Sequence, residues 1–257
     1  MNLSVKQEFA DRWSRYFPGA ELPVVFFYTE DPGPITRAPA TKAHVCFIGS
    51  LGPVRRGKPM AFEAGAVSCG GGQRYLGFAQ ERSPNFNYFL SCGIPGKLEG
   101  ERYKKTPELV DEVMKHQLPF HAPGRYLVAK RWDALEADDD PEVVMFFAPP
   151  DVLSGLFTLA NFDEVEPDGV RAPFGAGCAT IVYHPYHELR STHPKAILGM
   201  FDVSARPYVR PDLLTFAAPW PKFLRMVGHM DESFLITKSW QKVLARQTPS
   251  GGTAAPM

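Results

Sequence analysis

Residues 24–32, VVFFYTEDP, and residues 143–151, VVMFFAPPD, say the same thing twice: branched and aromatic side chains in an unbroken run, then a proline-bearing turn. Runs apolar at every position, rather than every second one, belong to strands covered on both faces. Outward from these runs, the first leads to AGAVSCGGGQRYLGF (64–78) and the second to PFGAGCATIVYHP (173–185). Val143 follows Val24 by 119 residues, while Cys178 follows Cys69 by 109. The repetition is open to two readings, an internal duplication with a shifted insertion or chance likeness between glycine-rich apolar stretches. The expected fold is α/β or α+β, with mixed sheets and packed helices. Its first half spans 1–120 and its second half 121–247, packed closely on the first. TPSGGTAAPM (248–257) has no core-forming pattern and is expected to be a flexible tail.

The intervening segments supply the other elements. Val5, Phe9, Trp13 and Phe17 recur every four residues, so 4–17 is expected to be a helix opened by Ser4, with Gln7 as capping-box partner. Pro18 and Gly19 end it. AHVCFIGSL (43–51) reads as a second strand and GPVRRGKP (52–59) as a basic turn, whose Arg55, Arg56 and Lys58 are either an anion-facing patch or, more plainly, solvated surface. A helix from Thr106 to Gln117 has proline at its first position, where the missing N–H costs nothing. YLVAKRWDAL, KAILGMF and LLTFAAPW are further strand candidates. Pro221 starts a late helix, and 233–247 forms another with Ile236, Trp240, Val243 and Leu244 inward.

Composition narrows the function. Lys plus Arg number 28 and Asp plus Glu number 28, so no global field gathers nucleic acid, and no nucleic-acid partner is expected. Twenty-five prolines and 22 glycines beside 19 phenylalanines point to short elements joined by fixed turns around an ample core. The opening MNLSVKQEFADRWSRYF is charged and periodic, unlike a secretory leader. No stretch approaches the roughly 20 apolar residues of a membrane span. Cys46, Cys69, Cys92 and Cys178 lie far apart and read as reduced thiols of a cytoplasmic protein.

Chemistry gathers at Cys69. Gly70, Gly71 and Gly72 suggest a tight turn whose backbone enters conformations closed to other residues, with successive N–H groups forming an anion-accepting concavity beside the thiol. The plainer reading is a close-packed turn with an inert cysteine. Neither a dinucleotide fingerprint nor a Walker loop is present. Cys178 also follows a glycine turn, GAG, so halves related by an approximate two-fold would turn both cysteines toward one pocket. Cys46 and Cys92 read as ordinary buried residues.

Thiolates suit zinc, copper and iron–sulfur centres, yet no CxxC pair occurs. A metal or iron–sulfur centre would therefore need Cys69, Cys178, His184 and His187 to converge. His184-Pro-Tyr-His187-Glu188 is HxxH rather than HExxH, and its plainer reading is a polar connection after a strand ATIVY. Asp202-Val-Ser-Ala-Arg206 is either an internal Asp–Arg brace or a clamp in which Arg206 grips a carboxylate or phosphate. No nucleophile elbow or catalytic triad is specified.

The strings CGGGQRYLGF, FGAGCATIVYHP and GMFDVSARPYVRPDLLTFAAPW resemble the DUF169 family over most of residues 5–245. The resemblance implies a shared fold, and that Cys69 with Gly70 and Gly71, Cys178, and the Asp202–Arg206 segment occupy recurring family positions. Some related archaeal proteins look cysteine-rich, which fits a metal or redox role, although this chain lacks their close cysteine pairs. The leading expectation is a small-ligand or cofactor-binding protein, its cofactor unknown, thiol-assisted or redox in character and holding an anionic small molecule with help from Arg206. The alternatives are a metal-dependent enzyme with Cys and His ligands, and a noncatalytic assembly protein.

Overall fold

In the computed structural model, which describes residues 1–247, both opening runs are strands. The expected tail, 248–257, lies outside the described residues. Strands β1 (Val24–Thr29) and β5 (Val143–Ala148) run antiparallel at the centre of one sheet, with Val24 opposite Met145 and Phe26 opposite Val143. The others are β2 (Thr36–Arg37), β3 (Met60–Phe62), β4 (Tyr126–Arg131), β6 (Val170–Arg171), β7 (Ala196–Gly199) and β8 (Leu214–Pro219). Eight strands follow the order β2-β3-β4-β1-β5-β8-β7-β6. On one side β1 pairs antiparallel with β4, β4 antiparallel with β3, and β3 parallel with β2. On the other, β5, β8, β7 and β6 repeat that pattern. The two sides therefore share one connectivity. A division at 120/121 would part β4 from both its hydrogen-bonding neighbours, so the midline of the sheet falls between β4 and β5 in the chain.

The helices are α1 (Leu3–Tyr16), α2 (Phe47–Ser50), α3 (Gly52–Arg55), α4 (Gly70–Tyr75), α5 (Phe86–Leu90), α6 (Pro107–Lys115), α7 (Pro150–Ala160), α8 (His184–Glu188), α9 (Trp220–Gly228) and α10 (Lys238–Gln247). Alternate side chains of the central strands feed two cores. Val25, Val144, Phe146 and Phe216 meet α1, α7, α9 and α10 through Phe9, Trp13, Leu156, Phe223 and Trp240. Val24, Phe26, Met145 and Ala217 meet α2, α4 and the segment before α8 through Phe47, Tyr75 and Ile181. Covering on both faces explains the unbroken apolar runs.

Four local expectations are corrected. Residues 43–51 are not a strand: Phe47, Ile48, Leu51 and Val54 are buried at helical spacing, and they place α2 and α3 on the sheet. ATIVY is not a strand either, since Ala179–Tyr183 forms a π-helical turn with all five residues buried. It runs into α8, where Pro185 sits in the first turn and needs no N–H partner. A short apolar run fits a buried helix as well as a buried strand. At α1 the cap is Asn2, whose side chain accepts from the Ser4 N–H at 2.9 Å, while Gln7 donates to Asp11 at 2.8 Å. In the last segment Trp240 is buried as expected, but Ile236 is 57% exposed because it falls in a separate 3-10 turn before α10.

Candidate functional site

Three cysteines far apart in the chain each open a helical segment. Cys46 precedes α2, Cys69 precedes α4 and Cys178 precedes the π-helical turn, all on the face away from the tryptophans. In strand topology, the partner of Cys178 is Cys46: each lies between the short edge strand of its half and the next strand inward. The equivalence of Cys69 and Cys178 expected from the glycine turns is thus replaced by another, although Cys69 still joins the group.

Packing draws the three segments together. A methyl group built on Gly72 would lie 2.7 Å from Val67 Cγ1 and 3.5 Å from Phe47 Cβ, so α4 presses against the start of α2. One built on Gly177 would lie 3.0 Å from Ala205 Cβ, 3.1 Å from the Met200 sulfur and 3.3 Å from Ile48 Cγ1. Close approach favours glycine at both places, more sharply at Gly72 than at Gly177. Gly70, Gly71 and Gly72 do not form the expected special turn: they are the first turn of α4, and none has positive φ. A side chain at Gly70 would meet nothing within 4 Å. Met200, fully buried beneath this region, holds φ at 72°, a sparsely populated conformation for a residue with a side chain.

The thiols have different environments. Burial pushes the Cys178 thiol well up, and Cys69, Cys46 and Asp202 add to the effect, so it is a protonated floor at neutral pH. Burial also raises Cys46, against the pull of the Ile48 and Gly49 N–H groups and reinforced by Cys69 and Asp202. Cys69 is half-buried, and its sulfur accepts from the Gly72 N–H at 3.5 Å. Cys92 is exposed, contrary to expectation, because it lies in a surface turn whose Gly93 carbonyl accepts from its sulfur at 3.4 Å.

Asp202 fixes the loop beside them. One carboxylate oxygen accepts from the Gly177 N–H at 3.0 Å. The other accepts from the Ser204 N–H at 3.0 Å, the Ser204 hydroxyl at 2.8 Å and the Tyr103 hydroxyl at 3.3 Å. Arg206 does not pair with this carboxylate. Its guanidinium donates to the carbonyls of Leu213, Pro211 and Arg210, tying down its own loop. Both halves of the Asp202–Arg206 motif therefore brace backbone.

His184 and His187 do not join the thiols. They line a cleft of about 390 Å³ on α8 with His116, Arg171, Tyr183 and Arg190, and no cysteine borders it. Burial drives His184 down to about 4, with Arg171 and His187 contributing, and burial first, then Arg190, lowers His187. Both imidazoles are neutral at pH 7. Among the described residues no three His, Cys, Asp or Glu side chains are gathered to hold one metal ion, so the set Cys69, Cys178, His184 and His187 is not assembled.

Sequence reasoning missed Cys46, Tyr103 and Met200. The first was legible: helical spacing of Phe47, Ile48 and Leu51 would have made Cys46 a helix-opening residue like Cys69. Tyr103 and Met200 act through distant partners and carry no local pattern.

Residues 21–229 match the DUF169 family, described as uncharacterised ArCR, and the chain belongs to that family. The matched region holds all three clustered thiols and Asp202. No curated protein and no solved structure matches the chain. Among the described residues no helix is long and apolar enough to cross a membrane.

Proposed function

We propose that this protein binds a small ligand or cofactor at the mouth of the thiol cluster, with Cys69 as its reactive sulfur and the reaction, if any, thiol-assisted or redox. The observation that carries this reading is the grouping of Cys46, Cys69 and Cys178, close enough that Cys69 helps to raise both of the other thiols and Cys46 helps to raise Cys178, although they come from three separate segments. A purely structural role for one buried cysteine would not require two more half-buried thiols beside it. The surroundings favour an occupant with an apolar body. Val45, Phe174, Phe201, Val203 and Tyr208 are exposed on the segments around the cluster, and Phe174 stacks edge-on with Tyr103 at 6.0 Å. Four free cysteines suit a reducing compartment, and we place the protein in the cytoplasm.

Alkylation of the folded chain with iodoacetamide, mapped by peptide mass spectrometry, tests the proposal together with native mass spectrometry before and after mild denaturation. Of the three clustered thiols Cys69 should label first in the folded protein and Cys178 only on unfolding, and a molecule retained from the cell should slow Cys69 but not the exposed Cys92. Labelling of Cys69 only after unfolding, with no bound molecule released, would overturn it.

A further inference from the structure

We infer that the cleft beside α8 is a second binding site, separate from the thiols, for a small organic acid bearing one carboxylate and a neighbouring hydroxyl or carbonyl group. A volume of about 390 Å³ lies within the range of small-molecule sites. Its charges nearly cancel before any ligand enters. The Glu188 carboxylate accepts from Arg171 at 3.0 Å and from the Lys195 backbone N–H at 3.0 Å. Arg190, also on the lining, is exposed and forms no ion pair among the described residues. One unanswered cation favours a monoanion, and a guanidinium offers a carboxylate two parallel donors. A phosphate dianion would find half its charge unmet.

The wall specifies the second group. His187 lines the cleft, and its Nε2 is buried without a hydrogen-bond partner. Such an atom has lost water and gained nothing in exchange. A neutral imidazole either accepts from a hydroxyl or, in its other tautomer, donates to a carbonyl. The Tyr183 hydroxyl already donates to the Leu118 carbonyl at 2.9 Å, so it pins the opposite lip. Leu118 itself is 60% exposed and gives an apolar surface for the body of the acid.

The test is a titration of the full chain, followed through the histidine ring resonances in carbon–proton NMR spectra, with lactate, mandelate and inorganic phosphate as probes. Lactate or mandelate should shift His184 and His187 saturably in the millimolar range while His44 stays still. Arg190→Gln should weaken that response roughly tenfold, the loss of one bidentate charged contact, and Cys69→Ser should leave it unchanged. No saturable shift from either hydroxy acid, an equal response in Arg190→Gln, or tighter binding of phosphate would each overturn the inference.

Discussion

At the scale of single residues, the three glycines after Cys69 are not equivalent. Gly72 has no room for a side chain beside Val67, whereas Gly70 faces open space. Gly72→Ala should therefore destabilise the protein by about 1–3 kcal/mol through overpacking. Gly70→Ala, at an ordinary helical φ, should be neutral or stabilising by about 0.4–1 kcal/mol. Urea midpoints of the two variants check the contrast, and equal losses would contradict this account of the motif. The sequence showed that glycine mattered here and offered two reasons, a special turn and close packing, and the surroundings of Gly72 fit the second. Backbone freedom and close packing select the same residue, and only the neighbours, Val67 and Phe47, tell them apart. Asp202 and Arg206 teach a similar lesson: their types allowed either a brace or a ligand clamp, and it takes their partners, the Gly177 N–H, Ser204 and the Tyr103 hydroxyl for one and three loop carbonyls for the other, to show two braces.

At the scale of elements, α8 touches two opposed titrations, one on its own first residue and one on the residue before β5. Burial lifts the Glu142 carboxyl to about 7, against the pull of the Tyr28 N–H at 2.9 Å and of the Tyr186 hydroxyl on α8. His184, at the start of the same helix, is held down to about 4. From about pH 7 to the ordinary carboxyl range, folded Glu142 keeps a proton that the unfolded chain has released, so acidification favours folding. That contribution is full below the unfolded value and lost as pH rises through about 7. His184 works the other way: between about 6.5 and 4 the unfolded chain binds a proton that the folded one refuses, and acidification favours unfolding. Relative to the parent, Glu142→Gln should lose stability more steeply between pH 7 and 5, and His184→Gln less steeply. Each difference should be on the order of 1–2 kcal/mol, read from urea unfolding at both pH values. Reversed or absent slopes would show that these environments are misjudged. Neither group stood out in the sequence as titratable in this way, because burial on this face depends on ATIVY being a helical turn. Strands with long unbroken apolar runs were legible; short runs such as FIGSL and ATIVY were not, since both periods fit so few residues.

Across the whole molecule, the two cores share one sheet, and α1 binds both halves: Phe9 lies 4.5 Å from Trp132, directly after β4, and 6.3 Å from Phe146 of β5. All four tryptophans pack on that side, Trp13, Trp132 and Trp240 within the core and Trp220 against it, while the thiol cluster occupies the other. Tryptophan fluorescence and Cys178 alkylation therefore report opposite layers. Because alternate residues of the same strands build both layers, both should change at the same urea concentration in one cooperative transition. Separate midpoints would mean that the layers unfold independently. The overall α+β architecture and its two-sided repetition were readable because β1 and β5, the strands that define the centre, carry nearly the same side chains. Strand order was not, since a register of hydrogen bonds between distant segments leaves no mark in composition.

The same topology has a consequence for the company the molecule keeps. Its rims end in strands only two residues long, each bearing an arginine, Arg37 on one side and Arg171 on the other. So brief a border, with a charge planted on it, offers no ladder for a stranger's backbone to climb. Edge-to-edge growth into fibres is discouraged at both margins.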